Sequence, residues 1–365
     1  SRIESCSYLV SPITLRGVTM NSRGYAALSA KAALNAFNFE RRKLGEHDVA
    51  LDISYAGICH SDIHQVAEDW GPSIFPMVPG HEIAGVVTEV GNKVSKFSVG
   101  DRIGVGVFVD SCRTCESCLR GLQQYCVQGM TGTYNGYERD GVTVAMGGYS
   151  NNFVINEDYA VHIPENLPME GVAPLLCAGI TLYSPIKHWK VQPGMKVAVV
   201  GLGGLGHMGV KFAVAMGAEV TVLSHSPSKQ SDALAMGAHS FVSTKDPSNL
   251  KPLVKNFDLI LNTVSAELVI DDYLNLLTLD GTLVVIGLPG KPYEVHAGTL
   301  LNGRRSLTGS MIGGIPEIQE MLDFCSKHSI VSDVEVIKPD YINEAYIRTI
   351  NSDVKYRFVI DASSF

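Results

Sequence analysis

Hydrophobic residues follow two patterns along this chain, and the change falls near residue 175. Before it, short apolar runs over 48–57, 82–91 and 101–108 are bounded by Gly, Asp or Asn, which is typical of β-strands joined by turns. After it, fully apolar runs alternate with segments of helical periodicity. Strands that alternate with helices indicate a parallel sheet with helices on both faces. The pattern therefore predicts a mostly β half followed by an α/β half.

Within the second half, the apolar runs place the individual elements. We predict strands over 196–201, 219–224, 257–265 and 281–289, and helices over 202–217 and 226–238. The tail, 315–365, shows one helical pattern and then a strand-like run, 356–361, which we expect to return to the first domain. The predicted domains are therefore 1–175 together with 315–365, and 176–314.

Composition and charge narrow the class of protein. The chain has 365 residues, of which 45% are hydrophobic and 18% charged, and at roughly 150 residues per domain it holds about two domains. Its net charge is −8 and no long basic cluster occurs, so we expect no nucleic-acid partner. No apolar run reaches the ~18 residues of a membrane span, and residues 1–20 lack the apolar core of a signal peptide. We therefore expect no membrane attachment and a cytoplasmic location.

Four of the eight cysteines fall in one short lobe, about 110–128. Their spacing is C-x2-C-x2-C-x7-C, and they are Cys112, Cys115, Cys118 and Cys126. Four clustered thiols with short spacers are typical of a closed, structural Zn²⁺ site. The alternative is a zinc ribbon that binds nucleic acid, but the lobe offers only Arg113 and Arg120 as basic residues and the chain is acidic. A reducing compartment fits this use of cysteine better than disulfides do.

A second ligand set is scattered along the chain. Cys59, His81 and Cys177 lie in separate segments, which is typical of an open, catalytic Zn²⁺ site drawn from distant parts of a fold. Each residue alone could equally be an ordinary core residue. Glu82 could be an alternate ligand or support the site, and Asp62 could accept the second N–H of His81. The sequence therefore predicts two Zn²⁺ ions per chain, one structural and one catalytic.

Two residues just after Cys59 suit proton transfer. Ser61 could donate its hydroxyl proton to a developing alkoxide, or it could simply make a local turn hydrogen bond. His64 could pass a proton outward, because imidazole exchanges protons near neutral pH. Trp70 is a candidate wall of the substrate pocket, with a core aromatic as the equally plausible alternative.

A glycine-rich turn follows the first strand of the α/β half. It reads Gly201, Leu202, Gly203, Gly204, Leu205 and Gly206 and opens a predicted helix. In this strand–turn–helix context, GxGxxG indicates a dinucleotide site, because the glycines let the backbone approach the pyrophosphate at the helix N-terminus. Without that context it would be only a tight turn.

The end of the next strand indicates which dinucleotide binds. An NAD site has Asp or Glu about 20 residues past the glycines, to hold the ribose hydroxyls. No acid occurs there, and the segment instead offers Ser224, His225, Ser226 and Lys229. These side chains could hold a 2′-phosphate, so we predict NADP(H). The alternative is a solvated loop that is indifferent to the phosphate.

Taken in order, these motifs resemble a known family. GICHSDIH, PGHE, the four-cysteine lobe, LLCAGIT and GLGGLG are similar to the zinc-dependent medium-chain alcohol dehydrogenases, over nearly all of 24–361. MGGYS, CAGITLYSP and the serine-bearing loop resemble the cinnamyl alcohol dehydrogenase-like branch. The resemblance implies an α/β fold with a GroES-like β domain and a Rossmann domain of doubly wound parallel sheet. It also implies that His60 lies near the cofactor pyrophosphate, that Thr181 packs on the nicotinamide, and that the protein is a homodimer.

The predicted function is therefore a zinc- and NADP(H)-dependent alcohol dehydrogenase or aldehyde reductase acting on aromatic or aliphatic aldehydes. An NAD-dependent polyol dehydrogenase of the same superfamily is the enzymatic alternative, and cofactor choice discriminates the two. A non-catalytic NADPH-binding sensor is the alternative from another class. Such relatives typically lose the catalytic metal ligands, whereas all three are kept here.

Overall fold

The computed structural model describes residues 19–365 of the chain. The first 18 residues of the predicted β domain, including Cys6, lie outside the described part. The strands, in chain order, are β1 (Met20–Ala26), β2 (Asn35–Arg41), β3 (Asp48–Gly57), β4 (Ile83–Val90), β5 (Arg102–Val105), β6 (Phe108–Asp110), β7 (Thr131–Gly132), β8 (Asn152–Asn156), β9 (Val161–His162), β10 (Lys196–Val200), β11 (Glu219–Ser224), β12 (Ser240–Ser243), β13 (Phe257–Asn262), β14 (Leu277–Val285), β15 (Ser306–Gly309), β16 (Val334–Ile337) and β17 (Arg357–Asp361).

The α-helices are short, and several stand directly at strand ends. They are α1 (His60–Val66), α2 (Glu116–Leu119), α3 (Met169–Val172), α4 (Ala178–His188), α5 (Gly204–Ala215), α6 (Gln230–Ala235), α7 (Ile270–Leu274), α8 (Ala297–Leu301), α9 (Ile315–His328) and α10 (Ile342–Ile350). A 3₁₀ turn over Pro227–Lys229 precedes α6, so the predicted helix over 226–238 is shorter and less regular than expected. Proline fixes the first turn and lacks an N–H, which favours this short segment.

A seven-stranded sheet gathers strands from both ends of the chain. Its order is β16-β17-β3-β4-β5-β9, and β8 also pairs with β3. The tail strand β17 runs antiparallel to β3, with Val359 opposite Gly57, which confirms that the tail returns to the β half. The prediction of a single helix in the tail is wrong, because the tail contains two, α9 and α10. In α10, the buried residues Ile342, Ala345, Tyr346 and Thr349 recur every three or four positions over only nine residues, too short a run to stand out.

A six-stranded parallel sheet forms the α/β half. Its order is β12-β11-β10-β13-β14-β15. The first strand in the chain, β10, therefore lies in the middle, with β11 and β12 on one side and β13, β14 and β15 on the other. The predicted strand over 219–224 is confirmed at both ends by β11. In sheets of this order a crevice opens at the carboxyl ends of the strands where the direction of winding reverses, here between β10 and β13. The α/β fold class with its two parts is thus confirmed, while the boundaries at 175 and 315 stay a prediction.

Within residues 19–365, no single helix combines the length and apolar character needed to cross a membrane. Two consecutive segments, Met169–Leu176 and Ala178–His188, pass that test only when taken together, with a bend of 59° between them.

A buried histidine on α5 joins the two sheets. His207 is fully buried, its Nδ1 lies 2.7 Å from the carbonyl oxygen of Gly204, and its Nε2 lies 3.1 Å from the hydroxyl of Ser332. The backbone N–H of Asp333 also donates to Nε2, so this nitrogen accepts and Nδ1 carries the hydrogen. Burial lowers the pKa of His207 to about 3, with Lys211 acting in the same direction and Asp333 opposing.

We predict that this histidine makes the protein less stable in acid. Between its unfolded pKa of about 6.5 and its folded pKa of about 3, the unfolded chain binds a proton that the folded chain does not, so the free energy of unfolding falls as the pH falls. The slope from this group approaches about 1.4 kcal/mol per pH unit within that window. Urea unfolding at pH 7 and at pH 5 should show a larger loss in the parent than in His207→Gln. Equal losses in both proteins would contradict the assignment.

Candidate active site

Cys59, the first predicted ligand, lies between the end of β3 and the start of α1. Cys59 is the N-cap of α1, with extended backbone angles, and its N–H donates to the carboxylate of Asp62 at 2.9 Å. This reciprocal capping fixes the turn and holds the thiol at the sheet edge. His81 lies two positions before the start of β4, and Cys177 directly precedes α4. Three strand and helix ends therefore position the three side chains.

The structure brings these side chains together as predicted. One ligand atom each from Cys59, His81, Glu82 and Cys177 lies within 4.8 Å of the others, and all four residues are buried. The two sulfurs are 3.8 Å apart. Nε2 of His81 and Oε2 of Glu82 have no hydrogen-bond partner. Buried polar atoms without partners are costly, and two thiolates with one imidazole suit tetrahedral zinc, so the residues fit that ion.

Asp62 supports this cluster differently from the sequence expectation. Its carboxylate is fully buried and accepts from the N–H of Cys59, from the N–H of Gly80 at 3.3 Å and from the hydroxyl of Tyr149 at 3.0 Å. Its Oδ1 lies 3.6 Å from Nδ1 of His81, which is an electrostatic contact and longer than a hydrogen bond. Asp62 therefore anchors the two ligand-bearing turns and attracts the histidine without bonding it directly.

Arg357 is a site residue that the sequence analysis missed. It is buried on β17, its Nη1 lies 3.2 Å from Oε1 of Glu82, and it donates to the carbonyl oxygen of Ile58 at 2.9 Å. Burial raises the pKa of Glu82 to about 8, and the positive charge of Arg357 opposes that rise. The Nε atom of Arg357 lies 2.5 Å from the position that a β-carbon at residue 204 would occupy, so Arg357 packs closely against Gly204. Arg357 thus links the metal-ligand cluster to the glycine turn.

The proton-transfer candidates lead from the cluster towards the surface. The hydroxyl of Ser61 is 3.5 Å from the sulfur of Cys59. Nδ1 of His64 lies 2.8 Å from the carboxylate of Asp69, and its ring stacks on Trp70 with centroids 5.0 Å apart. Trp70 is 51% exposed, which removes the alternative of a core aromatic. His64 is therefore held in place by Asp69 and Trp70, one helical turn beyond Ser61.

The glycine turn has the geometry that a dinucleotide site needs. Gly201 has φ of +91°, which favours glycine at the end of β10. A β-carbon on Gly206 would lie 1.9 Å from the carbonyl oxygen of Gly201, so only glycine allows α5 to start this close to the strand. Helix α5 begins at Gly204 and directs the free N–H groups of its first turn to this crevice. Leu205 lies in that first turn.

The predicted phosphate loop contacts the glycine turn. Nζ of Lys229 donates to the carbonyl oxygen of Leu202 at 2.7 Å, and partial burial lowers the pKa of Lys229. Ser224 is buried, and its hydroxyl accepts from the N–H of Ser226 at 3.2 Å, while His225 is exposed. The lysine and serines therefore stand at the carboxyl end of β11, as the sequence predicted, and no carboxylate occurs between 223 and 229.

The two positions assigned by resemblance also lie near the cluster. His60 is the first residue of α1 and is exposed. Thr181 is buried in α4, and its N–H donates to the carbonyl oxygen of Cys177 at 3.1 Å. Both therefore flank a ligand-bearing turn.

The cysteine lobe is compact and separate from the catalytic cluster. The sulfurs of its four cysteines lie within 4.8 Å of one another, and those of Cys112 and Cys118 are 3.8 Å apart. Backbone N–H groups point at the sulfurs, among them that of Cys115, which donates to Cys112 at 3.3 Å. Such bonds lower the pKa of Cys112 to about 6 and favour the thiolate that binds metal. The closed set of four sulfurs fits a structural zinc ion.

We predict that Cys115→Ser damages stability more than chemistry. Loss of a structural zinc removes folding free energy, and a cost of a few kcal/mol lowers Tm by roughly 5–10 °C for a chain of this size. Tm and zinc content should both fall, while kcat per folded molecule stays within about two-fold of the parent. Cys325→Ala is the matched control, because Cys325 lies in α9 away from the lobe. Loss of zinc at an unchanged Tm would contradict a structural role.

Comparison with protein families supports this reading of both halves. Residues 45–165 match the alcohol dehydrogenase GroES-like domain, and residues 204–327 match the zinc-binding dehydrogenase family. The NADP-dependent alcohol dehydrogenase C 1 of Mycolicibacterium smegmatis is 60% identical over 341 residues, which cover 93% of this chain and 97% of that protein.

Two solved structures share the fold over nearly the whole chain. A cinnamyl alcohol dehydrogenase from Sorghum bicolor superposes with a TM-score of 0.91 at 44% identity, covering 94% of this chain and 98% of its own. A cinnamyl alcohol dehydrogenase from Helicobacter pylori, complexed with NADP(H), gives 0.90 at 44% identity, covering 95% and 100%. The chain therefore belongs to the zinc-dependent medium-chain alcohol dehydrogenase family, in its cinnamyl alcohol dehydrogenase-like branch.

Proposed function

We propose that this protein reduces aldehydes to alcohols with NADPH, at a zinc centre held by Cys59, His81 and Cys177. The single observation that carries the proposal is the buried cluster of these three residues with Glu82, whose ligand atoms converge within 4.8 Å and include the unpartnered Nε2 of His81. Arg357 connects that cluster to the glycine turn, so a metal and a dinucleotide would share one crevice. A catalytic and a structural site together give two zinc ions per chain.

The chain's own residues would bind and orient the cofactor. The glycine turn and the first turn of α5 supply N–H groups to the pyrophosphate, and Lys229 with the serines 224 and 226 supplies donors to a 2′-phosphate. His60 and Thr181 flank the ligand-bearing turns, where they could contact the cofactor. The cinnamyl alcohol dehydrogenase of Helicobacter pylori, which is similar over 95% of this chain, is complexed with NADP(H).

When bound, zinc supplies Lewis-acid polarisation of the carbonyl and NADPH supplies the hydride to its carbon. The oxygen must then receive a proton. Ser61 stands beside the ligand cluster and donates its hydroxyl proton to that oxygen, and the partly exposed His64 replaces the proton from solvent. Asp69 holds the imidazole of His64, and Trp70 covers one of its faces, which keeps the ring oriented at the mouth of the site.

We further propose that the protein is a cytoplasmic homodimer. Edge strand β15 has no partner on its outer side among residues 19–365, and exposed apolar side chains such as Leu288 and Leu301 lie near it in sequence. An uncovered sheet edge with apolar neighbours is suited to pairing with a second copy. All seven cysteines in the described part are free thiols, which fits a reducing compartment. Analytical ultracentrifugation would test the dimer.

Initial rates on zinc-replete protein test the proposed function. Cinnamaldehyde and a short aliphatic aldehyde are supplied with NADPH or with NADH at matched concentrations, and mannitol or sorbitol is supplied with NAD⁺. Faster aldehyde reduction with NADPH than with NADH is the expected result. Polyol oxidation with NAD⁺ as the main activity would overturn it in favour of a polyol dehydrogenase, and cofactor binding without any turnover would indicate a sensor.

A further inference from the structure

Tyr356 lies between the predicted phosphate loop and the helix that begins at the glycine turn. It directly precedes β17, which belongs to the seven-stranded sheet, yet its ring is buried against the other half of the molecule. Its ring stacks on His207 of α5, with centroids 5.1 Å apart and 19° between planes. The ammonium of Lys229 lies 5.9 Å from the ring centroid on the loop after β11. One side chain of the tail therefore contacts both cofactor-binding segments.

The hydroxyl of Tyr356 holds an acidic residue close to the phosphate loop. It donates to Oδ2 of Asp232 at 2.5 Å, and Nζ of Lys355 lies 3.1 Å from the same oxygen. Asp232 stands three positions after Lys229, at the start of α6, a spacing at which opposite charges on a helix attract each other. Two residues of the tail thus hold the carboxylate of Asp232, Tyr356 by a hydrogen bond and Lys355 by an ion pair.

This arrangement resolves an electrostatic conflict. A free carboxylate beside the phosphate loop would repel a 2′-phosphate and would also draw the ammonium of Lys229 towards itself. With Asp232 paired to the tail, Lys229 remains at the carbonyl oxygen of Leu202 and above the ring of Tyr356. The tail residues that contact Asp232 therefore fix its carboxylate, while the ammonium of Lys229 contacts Leu202.

We propose that Tyr356 is a positioning residue that determines cofactor specificity, because its hydroxyl restrains Asp232 and leaves Lys229 free for the 2′-phosphate. This inference rests on the proposed NADPH dependence. The residue that positions this carboxylate beside the phosphate loop lies in the tail, 124 positions after Asp232 in the chain. Lys355 acts in the same direction with a smaller contribution, because its side chain is 72% exposed.

The test uses Tyr356→Phe, which keeps the ring on His207 and removes only the hydroxyl. Loss of one hydrogen bond to a charged group should weaken NADPH binding about five-fold to ten-fold, with NADH binding and kcat unchanged. The dissociation constants of NADPH and NADH and the inhibition constant of 2′,5′-ADP are measured on the zinc-replete protein. Asp232→Asn in the Tyr356→Phe background should restore NADPH binding, because a neutral amide neither repels the phosphate nor attracts Lys229. A merely structural tyrosine would not be rescued in this way.

Lys355→Met is the second variant. We expect it to fold like the parent, because the lysine side chain that it replaces is 72% exposed. It should weaken the binding of NADPH and of 2′,5′-ADP about two-fold, whereas Lys93→Met, which removes an exposed ion pair with Glu46, should change neither. Equal loss of NADPH and NADH in Tyr356→Phe, or no rescue by Asp232→Asn, would overturn the inference while leaving the proposed function intact. A parent protein that binds both cofactors equally would overturn both.

Discussion

Replacing Cys177 with serine is expected to abolish aldehyde reduction while NADPH binding stays within about two-fold of the parent value. The sulfur of Cys177 lies 3.8 Å from that of Cys59, inside the buried ligand cluster. A hydroxyl is a poor zinc ligand beside a thiolate, so the catalytic ion is lost together with its Lewis acidity. A contribution of several kcal/mol to the barrier corresponds to a fall in kcat/KM of about 10³-fold or more.

Zinc analysis and kinetics on the same preparation measure this effect. The parent should hold two zinc ions per chain and Cys177→Ser one, since the lobe keeps its own four ligands. NADPH fluorescence titration checks that the cofactor still binds. Cys325→Ser is the matched control, a buried cysteine on α9 that should keep both ions and full activity. Normal turnover by Cys177→Ser would remove this residue from the metal site.

The second large effect is expected in cofactor choice. The double variant Ser226→Asp with Lys229→Ala should reverse the preference from NADPH to NADH, changing the ratio of their kcat/KM values roughly 100-fold or more. Lys229 contributes a charge-assisted donor, and the loss of one such bond alone is worth about 10-fold to 100-fold. An aspartate near the end of β11 adds repulsion of the 2′-phosphate and can accept from the ribose hydroxyls of NADH.

Steady-state kinetics with both cofactors at a fixed aldehyde concentration tests this reversal. Lys196→Ala provides the control, because it removes the same charge from an exposed lysine at the start of β10, the opposite end of that strand from the glycine turn. It should leave the ratio unchanged. If the double variant also keeps the parent ratio, the segment from 224 to 229 is not the phosphate loop.

Sequence patterns predicted those parts of the fold that local chemistry determines. Strand β11 and the turn before α5 stand where expected, because dense β-branched runs and a glycine-rich turn leave few local alternatives. The helix over 226–238 was overextended, because helical periodicity continues through residues that fold as a 3₁₀ turn. Helix α10 was missed because its nine residues carry too few turns for the pattern to emerge.

In the candidate site, too, the sequence predicts some residues, whereas others are brought together only by the tertiary fold. Residue type and spacing sufficed to select the cysteines and the histidine that converge, since few chemistries use that combination. The partners Arg357 and Tyr356 could not be found in this way. Arg357 meets Glu82 only because β17 pairs with β3, a contact across most of the chain that no local pattern encodes. Likewise the 3.6 Å between Asp62 and His81 is a matter of packing and not of sequence.

Isotope labelling tests directly whether the hydride passes from NADPH to the aldehyde at the zinc centre. Zinc-replete protein is given cinnamaldehyde and NADPH that carries deuterium at both C4 positions of the nicotinamide, and the alcohol is analysed by mass spectrometry. We expect cinnamyl alcohol with a single deuterium on its carbinol carbon, and no such product from Cys177→Ser. Alcohol without deuterium, or labelled alcohol formed equally well by the variant, would contradict hydride transfer from NADPH at this zinc centre.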